Sequence, residues 1–298
     1  MRYFLLLAVA LCAQPRKVAL TIDDLPRGGD DRNGNSIEAV TAMTKKLVGN
    51  LKGTNAIGFV NPGRLPALGE KGLQEVLKIW VDGGLDLGNH TYSHPDISNL
   101  TTAEYCADIA RAAPAIQKAL RGRKPVYFRH PFLRTGRTKE AKESHEKCLR
   151  EQGYEIAPVT LDNSEYLFAS VYGRGDEAMK AKVKREYLDY MDRIFAFFEQ
   201  RAIDVFGRAI PHVLLIHANQ LNADTMPELL AMMRRRGYEF VSLKEAMADP
   251  AYRTADNYVG KRGRSWLHRW AETKGIEKKY EPDEPAWIME EFKKLQTR

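Results

Sequence analysis

The sequence predicts an α/β domain whose parallel strands close into a distorted (β/α)7 barrel, followed by a helical or irregular C-terminal extension. Three observations point there. Seven short apolar segments alternate with amphipathic stretches of helical period, and turn residues cluster just after the apolar segments. The chain also has 298 residues, 44% hydrophobic and 29% charged, which is globular composition with enough apolar side chains for one large core. Strands that alternate with helices must run parallel, because each helix carries the chain back to the starting edge. Seven such units suit a barrel better than an open sheet.

In chain order, Arg2 precedes an apolar run from Tyr3 to Leu11, and Cys12, Ala13, Gln14 and Pro15 follow. This is the pattern of a short export signal over residues 1–13, cleaved after Ala13. The run is shorter than the ~18–20 apolar residues of a membrane span, and no later segment approaches that length. Localisation is therefore expected to be exported, periplasmic or extracellular. Leu11 stands where a lipid-attachment site at Cys12 would need a small residue, so anchoring through lipid is not expected.

The barrel is expected over 14–249, with strands at 18–22, 56–60, 85–88, 126–128, 154–159, 213–216 and 238–241. Between them, helical periodicity covers a helix running to Lys52, then 65–81, 102–121, 139–152, 178–206 and 226–236. Asn35 followed by Glu38 reads as the capping signal of the first helix. The connection from Asn163 to Pro211 is long, with one or two helices, and is placed as a lid or wall. After Asp249 strand signals vanish, while Trp266, Trp270 and Trp287 supply three of the four tryptophans. With Tyr252, Tyr258 and Tyr280 these rings could be sugar-stacking platforms, but residues 250–298 are expected to dock on the barrel through Trp266 and Trp270, since aromatic side chains are first a packing resource.

Forty-six Lys and Arg against thirty-nine Asp and Glu leave a net charge of +7. The excess is spread along the chain, and Arg234, Arg235 and Arg236 fall in a helical stretch as a solvated face, so nucleic acid is not an expected partner. Cys106 and Cys148 sit inside separate helical stretches; an oxidising compartment would allow them to pair, but two separately buried thiols are the expectation.

Polar residues suited to chemistry recur where the strands end. Asp23 and Asp24 follow the first, and His90 and His94 follow the third. Two histidines four residues apart on a helical turn present both rings to one side. With Asp24 they make a two-histidine, one-carboxylate set for one divalent ion. Zn²⁺ is the leading expectation, and Co²⁺, Mn²⁺ and Fe²⁺ are compatible with the same ligands. Arg129-His130-Pro131-Phe132 follows the fourth strand, and His217 ends the sixth.

This ordered set, Thr21-Ile22-Asp23-Asp24, His90-Thr91-Tyr92-Ser93-His94, Arg129-His130-Pro131-Phe132 and Leu215-Ile216-His217, resembles the polysaccharide deacetylase family, the NodB-homology group of carbohydrate esterase family 4. The resemblance covers about residues 17–250. It implies a NodB-type (β/α)7 barrel and metal-dependent removal of N-acetyl groups from an acetylated carbohydrate. It implies Asp24, His90 and His94 as metal ligands, Asp23 as general base, and Arg129 as the group orienting that base. It further implies an oxyanion donor at the Phe132 backbone, Leu215 shaping the acetyl pocket, and His217 as general acid. The family's Asp-x-x-Asp-Trp stretch reads Asp162-Asn163-Ser164-Glu165-Tyr166 here, which leaves Asp162 and Glu165 both candidates for the partner of His217. Leu25 stands where family members commonly have Gly.

Alternatives on the same fold are a hydrolase of O-acetyl esters or non-sugar amides, and a catalytically silent carbohydrate-binding protein. A cytosolic metal-binding protein is opposed by the signal-like N-terminus. Sequencing the N-terminus of the exported protein is expected to start at Gln14; an uncleaved chain recovered only from cytosol would overturn the export assignment.

Overall fold

The computed structural model describes residues 16–29 and 34–296. The expected signal segment, 1–13, lies outside the described residues. Seven strands form the sheet: β1 (Arg16–Leu25), β2 (Ile57–Val60), β3 (Asp86–Asn89), β4 (Tyr127–Phe128), β5 (Glu155–Ile156), β6 (His212–His217) and β7 (Tyr238–Phe240). Every pairing is parallel, in the order β5-β4-β3-β2-β1-β6, with β7 on the first three residues of β1. A single bridge between Leu161 and Leu214 joins the chain just after β5 to β6, the two ends of that order. The sheet therefore curls back on itself as a distorted barrel. All seven expected strands are present, and β1 is the hub because three others pair with it. Its interior residues are buried without interruption, as a strand covered on both faces requires.

Among the described residues, ten α-helices surround the sheet. They are α1 (Ile37–Leu51), α2 (Gly69–Asp82), α3 (Thr102–Ala119), α4 (Lys139–Glu151), α5 (Glu165–Arg174), α6 (Glu177–Phe206), α7 (Gln220–Arg235), α8 (Leu243–Met247), α9 (Trp266–Thr273) and α10 (Ala286–Gln296). Among the described residues no helix is long and apolar enough to cross a membrane. α3 opens with a full capping box, Thr101 and Glu104 each bonding the other's backbone N–H. At α1 the expected cap moves by one residue: Ser36, in extended backbone, accepts from the Ala39 N–H, and the Asn35–Glu38 box is not formed. α5 has no clear periodicity because Leu167 through Tyr172 are all buried, so it shows no polar face to pattern against.

The expectation of two separate thiols is overturned, because Cys106 and Cys148 form a disulfide. They lie on α3 and α4, which pack side by side outside the strands and bring the two Cα atoms to 6.3 Å. Sequence shows each helix but not that the two are neighbours. Of the arginine triplet, Arg236 bonds Glu199 and Asp192 of α6, each at 2.8 Å, so that end of the run is docked rather than solvated.

Beyond β7 the chain keeps packing against the barrel. The Trp266 N–H donates to the Val159 carbonyl at 2.6 Å. Trp270 is 1% exposed, edge-on to Phe206 and Tyr252. Arg269 is fully buried and donates to the Thr135 hydroxyl and the Leu133 carbonyl. At Gly263 an added Cβ would overlap the Phe132 carbonyl oxygen, so only glycine lets this segment lie against the loop after β4. Trp270→Ala is expected to lower stability by ~3–5 kcal/mol, the usual cost of truncating a large buried aromatic. An unchanged melting temperature would show that the ring is not part of the core.

Candidate active site

The candidate site is assembled from the C-terminal ends of the strands. Side chains of adjacent strand residues normally point to opposite faces. At the end of β1 this alternation breaks: Asp24 has a left-handed φ of 67°, and the register with β2 slips between Ile22 and Leu25. Both carboxylates therefore reach one cavity, Asp23 at 1% and Asp24 at 5% exposure. Parallel register pairs Asp23 directly with His217 of β6.

His90 and His94 converge as expected, but not on a helical turn. The segment after β3 is an irregular loop with left-handed residues at Thr91 and His94. It is tied down locally: the Thr91 hydroxyl accepts from the His94 N–H at 3.0 Å, and the Asp108 carboxylate accepts from the Tyr92 and Ser93 N–H groups at 3.0 Å. The two imidazole centroids end 4.9 Å apart.

Asp24, His90 and His94 offer ligand atoms that all lie within 4.8 Å of one another. Asp24 Oδ1 is 3.4 Å from His94 Nε2 and 3.7 Å from His90 Nε2. The donor set fits a divalent ion on three counts. Asp24 Oδ1 is buried without a hydrogen-bond partner among the described residues. His90 Nδ1 donates to the Arg129 carbonyl at 2.7 Å, which fixes the tautomer and leaves Nε2 with its lone pair toward Asp24. Burial, with His94 beside it, holds His90 well below the usual imidazole range, and burial also lowers His94 against the pull of Asp24. Neutral imidazoles are the form that ligates metal. The other oxygen of Asp24 is engaged by Arg64 at 3.1 Å. Burial alone would raise the Asp24 carboxyl, but Arg64 and His94 outweigh it and bring it down to about 2.

Asp23 has a different environment. Burial pushes its carboxyl up to about 6 despite the opposing charges of Arg129 and His217. Arg129 is fully buried; its Nη1 lies 3.4 Å from Asp23 Oδ2, and its Nη2 donates to the Thr21 hydroxyl at 2.9 Å. The guanidinium also covers the Phe59 ring at 4.7 Å. One carboxyl is thus held firmly ionised, while its neighbour changes protonation near pH 6.

Of the two candidate partners of His217, the hydrogen bond goes to Glu165: Nδ1 donates to Oε2 at 2.7 Å. Glu165 is fully buried at the start of α5, and Asn219 and Asn222 donate to its other oxygen. Burial works against the charged imidazole, but the hydrogen bond and charge of Glu165, helped by Asp24 and Asp23, raise His217 to about 9. Asp162 lines the cavity without bonding His217; its carboxylate accepts from the Asn163 N–H at 2.9 Å, and burial followed by the Glu281 charge raises it to about 6. Phe132 is left-handed at φ 54°, half exposed, with its ring 4.6 Å from that of His94. Leu215 is buried in the cavity wall.

These side chains share one cavity of about 920 Å³, with Arg129 and Glu165 behind it. Three features escaped the sequence. Arg64 follows the turn after β2, so the same strand-end logic would have found it. Asn219 and Asn222 follow His217 at the start of α7 and show no pattern of their own. Residues 280–284 of the C-terminal segment line the cavity, and nothing in their local sequence places them there.

Comparison with known proteins finds likeness to the polysaccharide deacetylase family. The polysaccharide deacetylase family model matches residues 10–157. A chitin deacetylase of Colletotrichum lindemuthianum is 30% identical over 159 residues, 52% of this chain and 55% of that protein. A second, from Arthroderma benhamiae, is 25% identical, and the match covers 54% of this chain and 38% of its length. The chain thus spans about half or less of these relatives. Among solved structures, a polysaccharide deacetylase of Bacillus cereus superposes with a TM-score of 0.51 at 19% identity, covering 76% of this chain and 91% of that one. That likeness carries the fold alone.

Chelation followed by refilling is expected to load one divalent ion per chain. Asp24→Asn and His94→Ala should each weaken its binding by more than the ~10–100-fold seen when an outer-shell partner is lost. Wild-type metal content in His94→Ala would remove that residue from the site.

Proposed function

Because the chain belongs to the polysaccharide deacetylase family, we propose that it hydrolyses N-acetyl groups on a carbohydrate. The observation that carries this reading is the meeting, in one cavity, of a three-ligand set, a buried carboxyl with a raised proton affinity and an imidazole with a high proton affinity. Asp24, His90 and His94 would hold the metal. A divalent ion bound there supplies Lewis acidity toward the acetyl carbonyl and toward water.

The chain's own residues supply the proton transfers. Water attacks the acetyl carbon and its proton passes to Asp23, kept in place by Arg129. The backbone N–H of Phe132 is the proposed donor to the developing oxyanion, with Leu215 packing the acetyl methyl. As the C–N bond breaks, His217 delivers the proton from Nε2 to the departing nitrogen. Glu165 holds Nδ1–H and so keeps Nε2 directed at the cavity. The products are acetate and a free amine. Acetate release from acetylated chitooligosaccharides, peptidoglycan and acetylxylan, with and without added Zn²⁺, tests the assignment. Release from acetylxylan alone would favour the ester reading, and no release from any substrate would favour a silent binding protein.

The two carboxylates separate on mutation. Asp23→Asn is expected to keep near-normal metal content while turnover falls ~10²–10⁴-fold, as for a lost general base. Wild-type turnover in that variant would end the assignment. The acidic limb of the rate profile should follow Asp23, which must lose its proton near pH 6 to accept one. The basic limb should follow His217, which must keep its proton up to about pH 9. Glu165→Gln removes the charge that raises His217, so the basic limb should move to lower pH; an unmoved limb would exclude this pair.

A further inference from the structure

The turn that carries the proposed oxyanion donor is gripped from outside the barrel. Pro131–Leu133 follows β4, and both Phe132 and Leu133 take a left-handed backbone, with φ of 54° and 53°. That region is unfavourable for residues with a Cβ, so two in succession persist only where the surroundings impose them. The Phe132 ring is half exposed, so its own burial supplies little of that hold. We propose that Arg269 and Gly263, both in the C-terminal segment, are positioning residues that lock this turn and keep the Phe132 N–H presented to the cavity. The inference rests on the deacetylase reading and on the donor role given there to Phe132.

Arg269 joins the two sides. It is fully buried on α9, and each nitrogen of its guanidinium has a partner. Toward the turn, Nη2 donates to the Leu133 carbonyl and Nη1 to the Thr135 hydroxyl at 3.1 Å. Toward its own segment, Nε donates to the Arg264 carbonyl at 3.1 Å and Nη1 to the Asp256 carboxylate at 3.2 Å. The Trp266 ring lies against the guanidinium at 4.0 Å. A rigid planar fork can hold two backbones at one separation, which a flexible ammonium does less well. Lys142 of α4 secures the same anchor from the barrel side, 2.8 Å from the Asp256 carboxylate and bonding the Tyr258 carbonyl at 3.2 Å. The Gly260 N–H adds a bond to the Gly136 carbonyl at 3.1 Å.

Gly263 closes the contact. A Cβ there would stand 1.7 Å from the Phe132 carbonyl oxygen, and its φ lies outside the left-handed region. Glycine is therefore required by the close approach and not by its own backbone. Within the turn, the Leu133 and Arg134 N–H groups close on the His130 and Pro131 carbonyls at 3.1 Å each, which shapes the turn without aiming it. The C-terminal segment adds the aim, because it touches the two successive carbonyls, of Phe132 and Leu133, that follow the donor N–H. With both peptide planes held, Phe132 has little freedom to rotate. A donor of this kind lowers a barrier most when its direction is set before charge develops on the substrate oxygen.

The test uses the full-length, Zn²⁺-loaded protein with the N-acetylglucosamine tetramer and its N-trifluoroacetyl counterpart. The readouts are kcat and KM for both substrates, zinc per chain and melting temperature. Gly263→Ala and Arg269→Ala should each lower kcat on the acetyl substrate by about 10–100-fold, with KM within about twofold and one zinc per chain. The fall should be about threefold or more smaller on the trifluoroacetyl substrate, whose tetrahedral oxygen is less basic and leans less on a donor. A partly unfolded preparation lowers both substrates alike, so equal falls overturn the positioning role. A kcat within about twofold of wild type in either folded variant overturns it for that residue. If Arg269→Ala does not fold, Gly263→Ala decides alone, because it deletes no side-chain bond. Each of these outcomes leaves the deacetylase reading standing. A wild type that releases neither acetate nor trifluoroacetate overturns that reading and this inference with it.

Discussion

Two carboxyl groups on consecutive residues, Asp23 and Asp24, are almost wholly removed from water at the end of the central strand. Burial of an ionised carboxylate is costly unless an opposite charge or hydrogen bonds compensate for it. Much of the surrounding architecture supplies that compensation, and it does so unequally. Asp24 gains the Arg64 guanidinium on one oxygen and two imidazoles beside the other. Asp23 has Arg129 at the long distance of 3.4 Å, with that guanidinium shared with Thr21, and one of its oxygens has no partner among the described residues. The difference follows: one carboxyl falls to about 2 and the other rises to about 6. Two neighbours on one strand are given different proton affinities by their surroundings alone.

β1 makes this possible because it is paired along its whole length. β6 runs beside it in register from Val18 to Asp23, which sets His217 opposite Asp23. β2 pairs up to Leu25, with the slip that turns Asp24 toward the cavity. The same constraint explains why the basic groups come from elsewhere. Arg129 enters from the end of β4 and Arg64 from the turn after β2.

The strands and the ends that carry Asp23, Asp24, His90, Arg129 and His217 were legible in the sequence because buried parallel strands are short apolar runs, and polar residues at their ends stand out. Other features depend on tertiary contact and leave no local signal. Helical spacing predicted a turn for His90 and His94, but Asp108 on α3 imposes a loop that brings the rings together another way. α5 falls in the connection where one or two helices were expected, but its bounds were not legible because it is buried on nearly all sides, and the Cys106–Cys148 bond was not legible because helix adjacency is not a sequence property. The cavity-lining stretch at residues 280–284 belongs to the same class: its place is set by Arg193 of α6, which bonds the Asp283 carbonyl, and by His268 of α9, which bonds Glu281.

Glu165 shows how a departure from a family pattern can be absorbed. It stands where the pattern has Asp, one methylene longer, and it opens α5 rather than lying in an extended segment. A negative charge is favoured at the N-terminal end of a helix. Asn219 and Asn222, at the start of α7, occupy one of its oxygens and leave the other for His217. Asn222 is itself held by the Tyr187 hydroxyl at 2.8 Å, and its amide also donates to the His217 carbonyl at 2.8 Å. The longer side chain is therefore held by Asn219, Asn222 and His217, with Tyr187 of α6 steadying Asn222 behind it. With the carboxylate immobile, the imidazole has one orientation, Nδ1 bonded inward and Nε2 free. The aim of the outer nitrogen of His217 follows from this buried bond, and its high proton affinity follows chiefly from the same contact, with Asp24 and Asp23 adding to it.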